Sequence, residues 1–565
     1  MSLIIPGPSP SYDIDVYLQP LIEELKELWE VGVDTYDAVK DETFSLKAAF
    51  LWTISDFPAH AMFSGWSTKG EFSCSNCNHK TWSKYLKYSR KMCYTGHRRS
   101  LKENHPWRRN KRAFDGNVET RPPPPTRFLG SEVLKDLEGV LDTLLDIPRK
   151  TKDHVAARFD LQDMGIRNEV HPKRTNNRGK RLYSKACLSL FSSEKDLFCS
   201  VIKGAKFPDG CASNISRCVQ SNERKFAGYK SHDAHFMLHY LLQIAVKNVL
   251  PKQVESTLIR LGSFFRGLCR KVLWPKDLND LESEIIEILC QLEKIFPPSF
   301  FDIMIHLPLH LIEEVRLGGP VQGRWMYPKE RYLGKLKSYF QVEWAPRNDD
   351  DTASNQDGSL FLIEHQDFVN RQRSQGRRVK QSRWERAQEH SHDIGAWFKD
   401  CVREENVSKE IKALSQGPDY TVRSFKGYLI NGNKFHTTAH ESKRKTQCSG
   451  VSVTSSMSSF ASSRDQNPVV GDVKYYGVVD YIIDLDYFCH FKVVLFRCNW
   501  FQVEQDEFGL LCVNFKRLCY TNDPFVMANQ VNQVFHARDS KEKHLHYVME
   551  TILGDFFDMS EESNG

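Results

Sequence analysis

The amino-acid sequence predicts a chain of mixed class, α/β plus α plus small β. Three observations carry that reading. An amphipathic helix is followed by an apolar run that stops on a single carboxylate, Asp56. Helical spacing then dominates residues 131–297. Beyond residue 469 the texture changes to short β-branched and aromatic runs, VKYYGVVDYIIDLDYFCHFKVVLFRCNWFQV and LLCVNFKRLCY.

In chain order, Leu3–Ile5 is a short apolar run stopped by PGPSP, a strand end followed by a turn. Asp15–Val31 has helical spacing, with Val16, Leu18, Leu21, Ile22, Leu25 and Leu28 on one face. Phe44–Ile54 is short and is stopped by Ser55-Asp56-Phe57-Pro58, which favours a strand with Asp56 at its C-terminal end. Residues 84–127 carry thirteen Lys/Arg against three Asp/Glu, interleaved with Trp82, Tyr85, Tyr88, Tyr94, Trp107 and Phe114. PPPP at 122–125 closes this segment as a stiff spacer.

Residues 131–147, 192–206, 233–272 and 281–297 read as helices, the last ended by Pro297. Tyr332–Phe340 reads as a further helix and 346–358 as a polar linker. A second basic run, Arg371–Arg386, holds seven Lys/Arg and one Glu. Residues 441–468 are rich in Ser and Thr without periodicity and are expected to be a disordered linker. The expected divisions are therefore 1–127, 128–345, 346–440, the linker 441–468, and a separate small β domain over 469–550.

The 565 residues suffice for several cores, and a net charge of +6 means that any nucleic-acid surface must come from local clustering. No window of about 18 apolar residues exists, so no membrane span is expected. Fifteen cysteines without a signal-peptide pattern read as reduced thiols.

Cys74 and Cys77 stand in CxxC spacing, suited to place two thiolates on one zinc ion. Two completions are open. Locally, Cys93 and His97 give C-x2-C-x15-C-x3-H; remotely, His306 and His310 present two imidazoles one helical turn apart. His232 and His235 form another histidine pair, better read as packing or hydrogen-bonding groups. Asp56 taken alone is a common strand-end aspartate, and Glu330 a common helix-start glutamate. Together they suit a two-metal phosphoryl-transfer site holding Mg2+ or Mn2+. In the basic segment, Arg98, Arg99, Lys102, Arg108, Arg109, Lys111 and Arg112 are the candidate phosphate contacts, with the aromatic rings free to stack on unpaired bases.

The stretches IPGPSPSYDIDVYLQPLIEELKELW, LWTISDFPAHAMFSGWSTKGEFSCSNC, GHRRSLKENHPWR, GYKSHDAH and GPVQGRWMYPKERYLGKLKSYF resemble plant CACTA (En/Spm-type) DNA transposases. The C-terminal YYGVVDYIIDLDY, FRCNWF and DPFVMANQVNQVF resemble the domain of unknown function that follows the transposase in those elements. The resemblance implies an RNase H-like core of the DDE type, interrupted by a large helical insertion. It implies that Asp56 is the second catalytic acid and Glu330 the third, and that Cys74, Cys77, His306 and His310 bind a structural Zn2+. It also implies DNA, in the form of transposon ends, as the partner, with the chain itself or a full-length transposase as a further one, and a nuclear location.

In the family a segment bearing the first catalytic aspartate precedes the strand that ends in PGP, whereas here that strand opens the chain. Asp13 and Asp15 open a helix and are poor substitutes. The expectation is a partial RNase H-like core that binds DNA and is stabilised by zinc but does not cut alone. Its rivals are an active transposase or endonuclease that recruits the missing acid, and a domesticated DNA-binding or protein-interaction module.

Overall fold

The computed structural model describes residues 14–49, 60–61, 66–123, 151–174, 181–182, 184, 186, 188–208, 215–228, 231–321, 324, 397–400, 402, 409–419, 421–442, 444–459, 469–488, 490–519 and 524–550. The longer helices among them are α1 (Ile14–Glu30), α2 (Val155–Asp163), α3 (Ser192–Gly204), α4 (Lys252–Leu268), α5 (Pro275–Ile295) and α6 (Leu311–Gly318). The strands used below are β1 (Val33–Asp37), β2 (Glu42–Leu46), β3 (Lys84–Leu86) and β4 (Lys91–Cys93), then β5 (Arg423–Phe425), β6 (Gly427–Ile430) and β7 (Asn433–His436). They continue with β8 (Gly450–Ser459), β9 (Val469–Asp486), β10 (Lys492–Gln505), β11 (Leu511–Cys519), β12 (Phe525–Met527), β13 (Asn532–Arg538) and β14 (Leu545–Glu550).

The chain forms two compact units, one of residues 1–136, 155–181 and 268–331, the other of 137–154, 182–267 and 332–565. Both differ from the sequence divisions. The helical region expected as one block over 128–345 is divided between the units, and the β-rich part shares a unit with α3 and α4.

In the first unit α1 ends where the Val31 and Gly32 amides both donate to the Glu27 carbonyl, and the chain turns into the β1–β2 hairpin. That hairpin covers the start of the strand expected to lead to Asp56, which itself lies outside the described residues. The basic segment then forms the β3–β4 hairpin, whose turn is fixed by Asp160 of α2: its carboxylate accepts from the Tyr88 and Ser89 amides at 2.8 and 3.0 Å. β4 is tied onward by the Tyr94 amide, which donates to the Phe301 carbonyl at 2.7 Å. The last turn of α5 is met by Arg167, whose guanidinium donates to the carbonyls of Glu293 and Ile295, a cation placed at a helix C-terminus.

The second unit holds a closed antiparallel barrel. Following the pairings round, β8 pairs with β9, β9 with β10, β10 with β11, β11 with β14, β14 with β13, and β13 with β8. Closure leaves this ring without a free edge. β9 and β10 run beyond it, where β5 adds to β9 and β12 to β10. A register shift between Val479 and Tyr481 marks the bend between barrel and extension.

Two apolar clusters flank β9. Tyr476 and Val478 pack with Phe501, Val513, Val534 and Val548, while Val479 and Ile482 pack with Phe435, Phe496 and Trp500. Gly450 and Gly477 sit where backbones cross closely: a Cβ would come 2.2 Å from the Val534 carbonyl oxygen at the first and 2.7 Å from that of Asn499 at the second.

The Ser/Thr-rich stretch expected to be a disordered linker is therefore corrected, because residues 450–459 are β8, paired along their length to β9. Its Ser452 is fully buried, and Val451 and Val453 supply the alternation that a count of serines conceals. Nor is the β-rich part separate. Phe207 lies between Phe236 and Phe535 of β13 at 5.3 and 5.0 Å, and Lys247 pairs with Asp506 at 2.6 Å. The helices expected over 131–147 and 332–340, the linker 346–358 and the basic run 371–386 lie outside the described residues.

Candidate metal centre and basic segment

The CxxC lies in the turn that leads into a short 3-10 helix, Asn78–Lys80. The Cys77 amide donates to Cys74 Sγ at 3.3 Å, and the Lys80 amide closes back on the Cys77 carbonyl at 2.9 Å. This curl turns both sulfurs to one side. Opposite them, a single helical turn (Ile303–His306) and a 3-10 turn (Leu307–Leu309) lead into α6, which places His306 and His310 together. Leu307, Ile303 and Met304 seal the cysteines on the apolar side.

All four side chains are buried, and their donor atoms lie within 4.8 Å of one another. His310 Nε2 is 3.4 Å from Cys74 Sγ and 3.5 Å from Cys77 Sγ; His306 Nε2 is 3.3 Å from Cys77 Sγ and 3.3 Å from His310 Nε2. A tetrahedral ion with sulfur at about 2.3 Å and nitrogen at about 2.0–2.1 Å has S–N edges of about 3.5 Å and an N–N edge of about 3.3 Å. These four edges fit that figure, so the four residues could hold a metal ion.

Cys74 and His306 are held in ligating forms, whereas Cys77 would have to give up its proton to an ion. The hydrogen bond shared with Cys77, joined by His306 and His310, holds the Cys74 thiol well below its ordinary value, and the same hydrogen bond pushes Cys77 up. Burial lowers His306, keeping the imidazole neutral. Thiolate and neutral imidazole are the ligating forms.

The local completion is not what the fold assembles. Cys93 and His97 stand outside the group, and burial pushes the Cys93 thiol up to about 12, a thiol kept protonated in an apolar setting. His235 stacks on His239 at 4.0 Å, a packing role. Asp56 and Glu330 lie outside the described residues.

Three residues expected to touch phosphate are instead interior fasteners. Arg98 is 1% exposed; its Nη1 donates to the carbonyls of Trp107, Arg108, Asn110 and Asn117 at 3.1–3.5 Å, its Nη2 meets Asp115 at 2.5 Å, and its plane lies over Phe114. Arg108, 4% exposed, answers it by donating to the carbonyls of Arg98, Arg99, Leu101 and Arg121. Arg99 is buried on the carbonyls of Lys80 and Pro122, and burial lowers its guanidinium from the ordinary value. A guanidinium offers five donors in a fixed plane, which suits it to gather loop carbonyls that no strand or helix satisfies. Lys102, Arg109, Lys111 and Arg112 remain exposed.

Sequence reasoning missed the pair His97–Glu293. The His97 amide donates to Glu293 Oε1 at 2.8 Å, and its Nδ1 meets the same oxygen. Glu293 is 7% exposed, on the buried face of α5 beside Leu289 and Leu292. A glutamate inside an apolar stripe was the available signal.

Three family models match successive parts of the chain. Residues 1–140 match the transposase family tnp2, residues 268–352 a domain of unknown function (DUF4218), and residues 483–548 a second one (DUF4216). No curated protein and no solved structure matches the chain. The matches support a transposase-family protein. With its two associated domains of unknown function, the chain reads as a transposon-derived protein. The cysteines come from the first matched segment and the histidines from the second.

Proposed function

We propose that the protein derives from a plant CACTA (En/Spm-type) transposon and acts as a DNA-binding module stabilised by Zn2+ at Cys74, Cys77, His306 and His310. The observation that carries the reading is the four-donor group itself: two matched segments, 229 residues apart at Cys77 and His306, meet with tetrahedral edge lengths. Two thiolates with two imidazoles form a closed structural set for zinc, with no position left open for a substrate. The ion would join the segment after an RNase H-like core to the end of the helical insertion.

DNA contact is assigned to the cations that stay exposed, Lys102, Arg109, Lys111 and Arg112, beside the β3–β4 hairpin with its exposed Tyr85 and Tyr88. Transposon ends are the proposed ligand, in the nucleus, with a full-length transposase or a second copy as a further partner. No described helix is long and apolar enough to cross a membrane.

The resemblance assigns two acids, Asp56 and Glu330, to a two-metal site that would align attacking and leaving oxygens. The chain is expected to bind DNA with an affinity that falls steeply as salt rises. Metal-dependent nicking that disappears in Asp56→Ala would establish the rival reading of an active transposase with Mg2+ or Mn2+. The zinc reading is tested by metal content: wild type should hold one Zn2+ per chain, and Cys74→Ser or His306→Ala should lose it. Unchanged stoichiometry in both variants refutes it.

A further inference from the structure

Behind His306 stand two buried groups that the four-donor set does not use. Glu293 Oε1 accepts from both the amide and Nδ1 of His97, so Nδ1 carries the imidazole proton and Nε2 presents a lone pair. That Nε2 is buried and has no hydrogen-bond partner among the described residues. His306 faces Cys77 Sγ and His310 through its Nε2, so its own proton sits on Nδ1, which is likewise buried and without a partner. The two rings lie 5.8 Å apart between centroids and only 32° from parallel. A donor lacking an acceptor and an acceptor lacking a donor thus occupy neighbouring rings.

Buried polar groups of this kind are satisfied directly or by an ordered water. Histidines that bind metal through one nitrogen nearly always donate the other N–H, which fixes the tautomer and the ring's direction. We infer that His97, held by Glu293, is the positioning residue for His306. The chain of hydrogen bonds runs from His306 Nδ1–H to His97 Nε2, and from His97 Nδ1–H to Glu293 Oε1, with one buried water completing the first link where the rings do not touch. Its second anchor is independent of the metal ligands. The carbonyls at the end of the same helix are gripped by Arg167, so Glu293 is presented from a fixed terminus. The geometry gives His97, a rejected ligand by position, a task one layer out.

This inference rests on the metal reading above, and the experiment separates the two. The full chain is loaded with Co2+, which reports coordination by its visible absorption, and the ion is then withdrawn by a competing chelator. His97→Phe keeps a planar ring and removes both nitrogens; it should weaken metal affinity about 10- to 100-fold and alter the Co2+ ligand-field bands. His97→Gln can return an acceptor oxygen near the place of Nε2 and should stay within about threefold of wild type. Phe301→Leu disturbs packing against the His97 ring, 5.9 Å away, without touching the polar chain, and should leave affinity and bands as in wild type. The inference is overturned if His97→Phe binds Co2+ like wild type, or if Phe301→Leu loses as much affinity as His97→Phe. If wild type takes up no tetrahedral Co2+, the metal reading itself fails.

Discussion

Arg98 tests whether the basic segment is read correctly. Arg98→Met removes a guanidinium that bridges four main-chain carbonyls and the Asp115 carboxylate while keeping much of the stem that packs near Phe114. A charge-assisted hydrogen bond contributes about 1.5–3 kcal/mol, and removing one partner of a buried pair costs about 3–5 kcal/mol. Asp115 is 21% exposed at its side chain, so water recovers part of its loss, and the lower half of that range, about 3 kcal/mol, is expected. The assay is urea unfolding of the first unit, read beside a DNA titration over a salt series. Arg98→Met should lower stability and leave the slope of log affinity against log salt unchanged under conditions where the variant is folded. Arg109→Ala with Arg112→Ala should do the reverse, flattening the slope by about two without moving the unfolding midpoint. An Arg98 variant that is as stable as wild type but has a shallower salt slope refutes the interior assignment.

Three further outcomes follow from the second unit. Gly450→Ala places a Cβ 2.2 Å from the Val534 carbonyl oxygen and should cost about 1–3 kcal/mol in urea unfolding, whereas Gly471→Ala on β9, with open space around it, should be near neutral. Phe496, fully buried between the Tyr428 and Phe435 rings, should cost about 3–5 kcal/mol when replaced by Ala, measured in the same way. Burial pulls His536 down to about 3, with no hydrogen-bond partner on either ring nitrogen among the described residues. Between pH 6.5 and that value the unfolded chain binds the proton and the folded one does not. Its contribution is thus complete above pH 6.5 and falls by about 1.4 kcal/mol per unit as the solution is acidified. His536→Leu should flatten that part of the urea-midpoint profile, and an unaltered profile refutes the assignment.

What the sequence makes legible here depends on where the partner atom resides. Helices such as α1 and α5 are visible because their partner is their own apolar stripe, repeating every three or four residues. The Cys74/Cys77 and His306/His310 pairs are visible as local spacings, but nothing in either spacing says that the two meet across 229 residues; only the resemblance favoured that pairing over Cys93 and His97. In the sequence Arg98, Arg99 and Arg108 look like surface cations because their partners are main-chain carbonyls, which every residue carries and no sequence pattern records. The same limit hid β8: a Ser/Thr-rich strand is specified by the strand it joins, and its own alternation at Val451 and Val453 is too brief to outweigh its composition. Barrel closure is likewise a property of strand order, set by the β13–β8 pairing, which rests on two residue pairs.

Metal removal separates the two units energetically. An ion joining Cys77 to His306 closes a loop of 229 residues, and the chain-entropy estimate for a cross-link of that span is about 5 kcal/mol, gained only if the unfolded chain does not bind it. Chelation should withdraw that amount from the first unit, where all four donors lie, and expose the cluster of Cys74, Cys77 and Leu307. The barrel keeps its own clusters around Phe496 and Val513 and contains none of the donors, so its stability has no term in the metal. Hydrogen exchange with and without chelator reads both at once. Peptides spanning residues 66–101 and 298–318 should lose protection by orders of magnitude, while peptides from β9, β10 and β13 keep theirs. Equal loss in both sets would mean that the metal holds the whole chain together, and no loss in the first set would mean that the four donors are a packed cluster of thiols and imidazoles with no structural ion among them.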